Sequence, residues 1–60
     1  MNRQDFDNQI GGLVEVLPED GYGFDGTILS TKDDGVGGYL VTVIDQEDNA
    51  FDVNPLMIKL

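Results

Sequence analysis

The apolar residues of this chain occur in short clusters that are separated by glycine and proline. Residues 13–17 alternate between the two faces of an extended chain, with Val14 and Val16 on one face, which predicts a first strand. Residues 24–30 predict a second strand. Gly26 inside it indicates a bulge, a sharp bend or the close approach of another strand. This punctuation disfavours long helices.

The strongest strand prediction falls on residues 39–45, where β-branched and aromatic side chains occupy both faces. Such a pattern is typical of a strand inside a sheet. Residues 46–49 predict a hairpin turn because they are polar and acidic and end in asparagine. Residues 50–53 then predict the returning strand, with Phe51 and Val53 directed inwards.

The two ends of the chain add short elements to this set of strands. Pro55 can begin a one-turn 3-10 helix, and residues 58–60 predict a last strand. Residues 1–11 are either a frayed arm or a helical turn in which Phe6 and Ile10 share one side. About five short strands are too few for two full stacked sheets, so the sequence predicts an all-β fold built as a small, strongly bent barrel.

Three stretches of the sequence carry a resemblance to a known family. Val14-Glu15-Val16, a loop, and Phe24-Asp25-Gly26-Thr27-Ile28 are similar to the V-x-V strand, glycine turn and G-x-V/I step of KOW segments. Residues 51–60 resemble the usual ending, in which a strand, a 3-10 turn and a final strand close the barrel. Over about residues 12–60 the chain therefore resembles the SH3-like barrels, and among them the KOW-type and Tudor-like modules. The resemblance implies about five short antiparallel strands with a 3-10 turn before the last one.

The charge of the chain limits its partners. Twelve carboxylates against three basic side chains give 60 residues a net charge of −9. A domain of this size has little interior, so the charge must lie on the surface, where it repels nucleic acid, anionic lipid and phosphorylated metabolites. KOW-type modules commonly carry basic loops and contact RNA, ribosome or polymerase. The acidic loops here predict instead a protein partner with a basic surface, with no direct contact to nucleic acid or membrane.

Several kinds of chemistry are disfavoured by the residues themselves. The chain has no His and no Cys, which removes the usual general base, the thiol nucleophile, disulfides and thiolate zinc sites. Residues 21–26 match G-x-G-x-x-G, but they lead into a predicted strand, whereas a dinucleotide site needs a helix there. The predicted turns at 32–38 and 45–49 resemble fragments of calcium loops and lack the closing glutamate. We expect a non-enzymatic protein without cofactor or metal.

The leading hypothesis is a small module that regulates or inhibits a protein partner by docking on its basic, nucleic-acid-binding surface. Its site is expected in the two glycine-rich loops, which we expect at the barrel rim. The candidate residues are Glu19, Asp20, Tyr22, Asp25, Asp33 and Asp34, with residues 46–49 as the next choice. An exposed tyrosine beside acids suits an arginine-bearing partner.

Three alternatives stay open. The chain could be a DNA mimic that inhibits a restriction, defence or other nucleic-acid enzyme, since densely placed carboxylates imitate the phosphates of a duplex. It could be a KOW-like accessory factor of a transcription or translation complex, or a protein that sequesters a small ligand or metal. Leu13, Leu17 and Leu29 are predicted to face away from the core, where they either form a dimer patch or cap the barrel. Monomer and homodimer both remain open, and the expected compartment is the cytoplasm, because no signal peptide or membrane span is visible.

We predict that added salt stabilises the fold, because the surface carboxylates of a chain with a net charge of −9 repel one another and salt screens that repulsion. The measurement is the melting temperature from low to moderate NaCl. A temperature that stays flat or falls would contradict the prediction.

Overall fold

A computed structural model of the chain describes residues 2–19 and 21–59. Its elements follow one another as α1 (Arg3–Asp7), β1 (Leu13–Val16), β2 (Phe24–Asp33), β3 (Tyr39–Ile44), β4 (Ala50–Val53), the 3-10 helix η1 (Pro55–Met57) and β5 (Ile58–Lys59). The strands form one antiparallel sheet in the order β4-β3-β2-β1-β5. The predicted all-β fold of five short antiparallel strands, with a 3-10 turn before the last, is confirmed. Among the described residues β4 and β5 do not pair, so the sheet is not closed into a barrel.

The core lies on one side of this sheet, which we call the inner face. Val14 and Val16 of β1, Ile28 of β2, and Val41 and Val43 of β3 are buried there. Phe6 of α1 and Ile58 of β5 complete the buried cluster. Because side chains alternate along a strand, the residues between these positions lie on the opposite, outer face.

One extra residue in β2 changes the alternation of the strand. Ile28 lies opposite Val43, whereas Ser30 lies opposite Thr42, so Leu29 has no partner of its own in β3. A bulge of this kind places two successive residues on the same side. Beyond it, Thr31 therefore lies on the inner face, opposite the buried Val41.

Helix α1 begins with a reciprocal cap. The side chain of Asn2 accepts the backbone N–H of Asp5, and the Asp5 carboxylate accepts the backbone N–H of Asn2. The helix places Phe6 against Tyr39, with ring centroids 6.0 Å apart. Of the two alternatives for residues 1–11, the structure has the helical turn. Ile10 lies beyond its end and is 52% exposed.

A chain of polar contacts joins α1 to the far end of β2. Arg3 Nε donates to Thr31 Oγ1 at 2.9 Å, and that hydroxyl donates to Asp7 Oδ1 at 2.6 Å. The Arg3 guanidinium also pairs with the Asp33 carboxylate. These contacts require Thr31 and Asp33 to point towards the helix, which is the direction that the bulge gives them.

The structure corrects the sequence prediction at the ends of three strands and at Phe51. The first strand ends at Val16, β2 continues to Asp33 through part of the predicted turn, and β3 ends at Ile44, one residue earlier than predicted. Phe51 lies opposite the buried Val43, as an inward residue should, but its place on the edge strand leaves it 44% exposed. The last predicted strand is described only as Ile58–Lys59, since residue 60 lies outside the described residues.

We predict that Gly11→Ala destabilises the fold while Gly21→Ala does not. Gly11 has φ of +88° and open space around its Cβ position, so the cost is the left-handed backbone alone, about 1–2 kcal/mol. In a domain of this size that lowers the melting temperature by about 4–16 °C. At Gly21 the added Cβ makes an ordinary 3.6 Å contact with Pro18. Thermal denaturation of both variants is the measurement, and a Gly11→Ala protein as stable as the wild type would contradict the prediction.

Candidate interaction surface

The predicted site residues lie at two opposite ends of the sheet. Asp25 is near the beginning of β2 and Asp33 is its last residue, so at about 3.3 Å per residue they are roughly 25 Å apart. Glu19 and Tyr22 belong to the β1–β2 loop on the side of Asp25, and Asp34 lies in the β2–β3 turn on the side of Asp33. Asp20 was also predicted and lies outside the described residues. The two glycine-rich loops therefore lie at opposite ends of the sheet.

A second acidic loop lies beside Asp25 instead. In an antiparallel sheet, the turn after β3 returns to the end at which β2 begins, which places residues 45–49 next to the β1–β2 loop. We call this region the acidic end. Its described carboxylates belong to Glu19, Asp25, Asp45, Glu47 and Asp48.

The surface of the acidic end contains a shallow depression of about 380 Å³. Phe24 forms the apolar part of its lining, and Asp25, Asp45, Gln46 and Glu47 surround it. The Phe24 ring packs against Phe51 with centroids 5.9 Å apart. The depression therefore has an aromatic floor and an anionic rim, and it is open to solvent.

The β3–β4 turn owes its shape to Asp45. The Asp45 carboxylate accepts the backbone N–H groups of Glu47 at 2.8 Å and Asn49 at 2.9 Å, and the Asn49 side chain donates to it at 3.3 Å. These bonds, led by the one from the Asn49 backbone, hold the pKa of Asp45 below its ordinary value of 3.8, although partial desolvation opposes them. Asp45 is thus a structural residue of the turn that also contributes negative charge.

Three other acidic side chains at this end do not hold the structure of a turn. Within the described part of the chain, the side chains of Glu19, Asp25 and Glu47 make no hydrogen bond or ion pair. Tyr22, in the loop beside Phe24, is 98% exposed. Three carboxylates and one aromatic ring are therefore available to a partner.

At the opposite end the predicted carboxylates already have structural partners. Asp33 is paired with Arg3. Asp34 Oδ1 accepts the backbone N–H groups of Val36 at 2.8 Å and Gly38 at 2.9 Å, which closes the β2–β3 turn. The charge of Asp33 is partly neutralised, and one carboxylate oxygen of Asp34 is used to hold the turn.

Two of the three basic side chains of the sequence lie away from the acidic end, and the third, Lys59, lies at the β5 edge in the same row as Asp25. Arg3 is on α1, and Lys32 pairs with Asp52 across the sheet. The Lys32 ammonium, followed by a 2.7 Å hydrogen bond from Thr42, holds the pKa of Asp52 below 3.8. Lys59 lies opposite Glu15, two strands from Asp25.

Sequence reasoning gave residues 46–49 only second rank. Strand connectivity could have identified them as part of the site. Successive hairpins place every second loop at the same end of a sheet, so the β1–β2 and β3–β4 loops are neighbours. Asp33 and Asp34 are candidates because they lie in a glycine-rich turn. In the structure, Asp34 has a structural role there, since its side chain accepts the backbone N–H groups that close the turn.

The described residues were also compared with three other kinds of site and with known proteins. The glycine run at residues 21–26 leads into strand β2, as predicted, and no helix begins there. In residues 2–19 and 21–59, no cluster of three or more potential metal-binding side chains is found, and no helix there has the length and apolar character needed to cross a membrane. Comparison with protein-family models, curated proteins and solved structures finds no match.

We predict that acid destabilises the fold through Asp45 and Asp52. A carboxylate whose pKa is lower in the folded than in the unfolded protein stabilises the fold above the unfolded value, and that contribution is lost as the pH falls through the folded value. The pKa values of both groups lie below 3.8 in the folded protein. Their contribution to stability is therefore lost from about pH 4 downwards. Melting temperatures measured from pH 6 to pH 2 should fall less steeply in Asp45→Asn and Asp52→Asn variants than in the wild type.

The matched control for this measurement is Glu15→Gln, which removes one carboxylate from a strand without changing either hydrogen-bonded aspartate. Its profile should follow that of the wild type below pH 4. Identical profiles for the wild type and both Asp variants would show that these two groups do not control acid stability.

Proposed function

We propose that this chain is a non-enzymatic binding module that docks its acidic end on the basic surface of a protein partner. The observation that carries the proposal is the segregation of charge. Five described carboxylates lie at one end of the sheet, whereas Arg3 and Lys32 lie elsewhere and only Lys59, at the β5 edge, shares that end. Such a surface attracts a cationic partner over about a Debye length, which is roughly 8 Å at physiological salt.

Charge steers the encounter, and contact area holds the complex. The exposed Tyr22 ring and the half-buried Phe24 supply apolar surface beside the carboxylates. An arginine side chain uses both, because its guanidinium pairs with carboxylates and stacks on aromatic faces. We therefore assign the partner an arginine-containing surface.

The same charge pattern supports a regulatory role. Large basic surfaces on proteins commonly bind nucleic acid, so a module that occupies one blocks access to it. The absence of His and Cys from the sequence is in keeping with a role in binding. If the occupied surface of the partner is a nucleic-acid-binding site, the module inhibits the partner as a DNA mimic.

We also propose that the fold is a small SH3-like module of the KOW type. In support, η1 follows β4 directly and leads into β5, which pairs with β1 beside β2. This succession is the ending that the KOW resemblance implies. A KOW-like accessory factor that joins a larger complex through its acidic end is the second candidate function.

The test compares two pairs of substitutions with the same change in charge. Asp25→Asn with Glu47→Gln neutralises the acidic end, and Asp33→Asn with Asp34→Asn neutralises the opposite end. After a partner is captured from extracts of the native cell, its dissociation constant is measured with each variant. The first pair should weaken binding roughly 2- to 30-fold, as expected for two exposed ionic contacts.

The second pair is the control and should leave the affinity unchanged, since Asn can still accept the turn hydrogen bonds of Asp34. Loss of binding only in the second pair would overturn the assignment of the site. Affinity that does not fall with rising salt would overturn its electrostatic basis. Displacement of the module by duplex DNA would identify the occupied surface as a nucleic-acid-binding one.

A further inference from the structure

The outer face of the sheet carries exposed apolar side chains that no other element covers. Leu13, Thr27, Ile44 and Ala50 lie side by side across β1, β2, β3 and β4. Leu13 is 72% exposed, and Leu29, which the bulge leaves on this face, is 44% exposed. Leu13, Ile44 and Ala50 therefore give the row an apolar surface that is interrupted only by the hydroxyl of Thr27.

The charge of the outer face differs from that of the rest of the chain. Its ionic residues are Glu15, Asp25, Lys32, Asp52 and Lys59, as the register places them. Two lysines against three carboxylates leave this face at −1, whereas the remaining residues carry −8 of the total of −9. A strongly basic partner is therefore better matched by the acidic end than by this face.

We propose that the outer face binds a second copy of this chain. Two copies repel each other wherever their acidic surfaces meet, and this nearly neutral face is where that repulsion is smallest. Its apolar row supplies area that becomes buried. The two surfaces share only Asp25, and residues 45–49 and the β1–β2 loop of the acidic end remain uncovered by this contact.

The size of the face suits a weak two-fold contact. The five strands have 4, 10, 6, 4 and 2 residues, which at about 3.3 Å per residue and 4.8 Å between strands give a face of roughly 400 Å². Each partner of a stable complex contributes about 800 Å², so the dimer is expected to form only at high protein concentration. Lys59 and Asp52 lie at opposite edges of the face, so a two-fold contact that joins them makes the same ion pair twice.

The test is the solution mass across protein concentration and salt. Sedimentation equilibrium of the intact chain should give twice 6.6 kDa at high concentration. The dimer should tighten with added NaCl, because salt screens the repulsion between two anionic chains. Docking of the acidic end on a basic partner has the opposite salt dependence, so failure of one proposal is distinguishable from failure of the other.

Substitutions on the face identify the interface. Leu13→Glu and, separately, Leu29→Glu should each raise the dimer dissociation constant at least about tenfold. The matched control is Val36→Glu, which adds the same charge at an 87% exposed site in the β2–β3 turn and should change the constant much less. Circular dichroism establishes that each variant keeps its strands.

Three results would overturn the proposal. The first is a wild-type chain that stays monomeric at millimolar concentration and high salt. The second is a dimer that both leucine variants leave intact, which would place the contact elsewhere, for example at the β4 edge. The third is an equal loss in the Val36→Glu control, which would reduce the effect to net charge.

Discussion

The pairing of β2 with both of its neighbours determines how the rest of this small domain is arranged. The extra residue at Leu29 lets the strand stay paired with β3, in a register shifted by one residue, while its side chains exchange faces. Without that exchange, Thr31 and Asp33 would point away from α1, and the contacts that hold Arg3 would be lost. Lys32 would likewise point inwards instead of pairing with Asp52. The bulge thus fixes the position of the helix and the location of two of the three cations.

The fold uses two of its three cations to neutralise carboxylates away from the acidic end. Arg3 and Lys32 each pair with an aspartate, and Lys59 lies opposite Glu15. Exposed pairs of this kind add little stability, because water and salt screen them, so their main effect is on the distribution of charge. The β3–β4 turn adds further negative charge, because the residue that accepts its backbone N–H groups is the carboxylate of Asp45. Local folding requirements therefore produce the polarity from which the proposed function follows.

Much of the fold could be predicted from the sequence, because alternation and turn chemistry are local properties. Strand β4 and η1 fall where the residues placed them. The bulge could not be located in advance, since nothing in the residues from Ile28 to Ser30 distinguishes it from regular strand. The candidate site was only half predicted. Tyr22 and Asp25 lie at the acidic end, whereas grouping them with Asp33 ignored the length of β2. Asp45 and Glu47 join them only through strand order, which is a non-local property.

A chain of this size must both stabilise a small fold and carry many carboxylates on its surface. Seven buried side chains form a small core, and a 60-residue domain buries only about 60% of its unfolded surface. Crowding carboxylates at one end weakens such a fold through their mutual repulsion. The sheet separates the two demands in space, because the acidic residues occupy loops at one end while the outer face keeps apolar area and nearly balanced charge. Self-association through that face would stabilise the fold by mass action. The acidic end would stay free to bind, because nothing in that contact requires its loops.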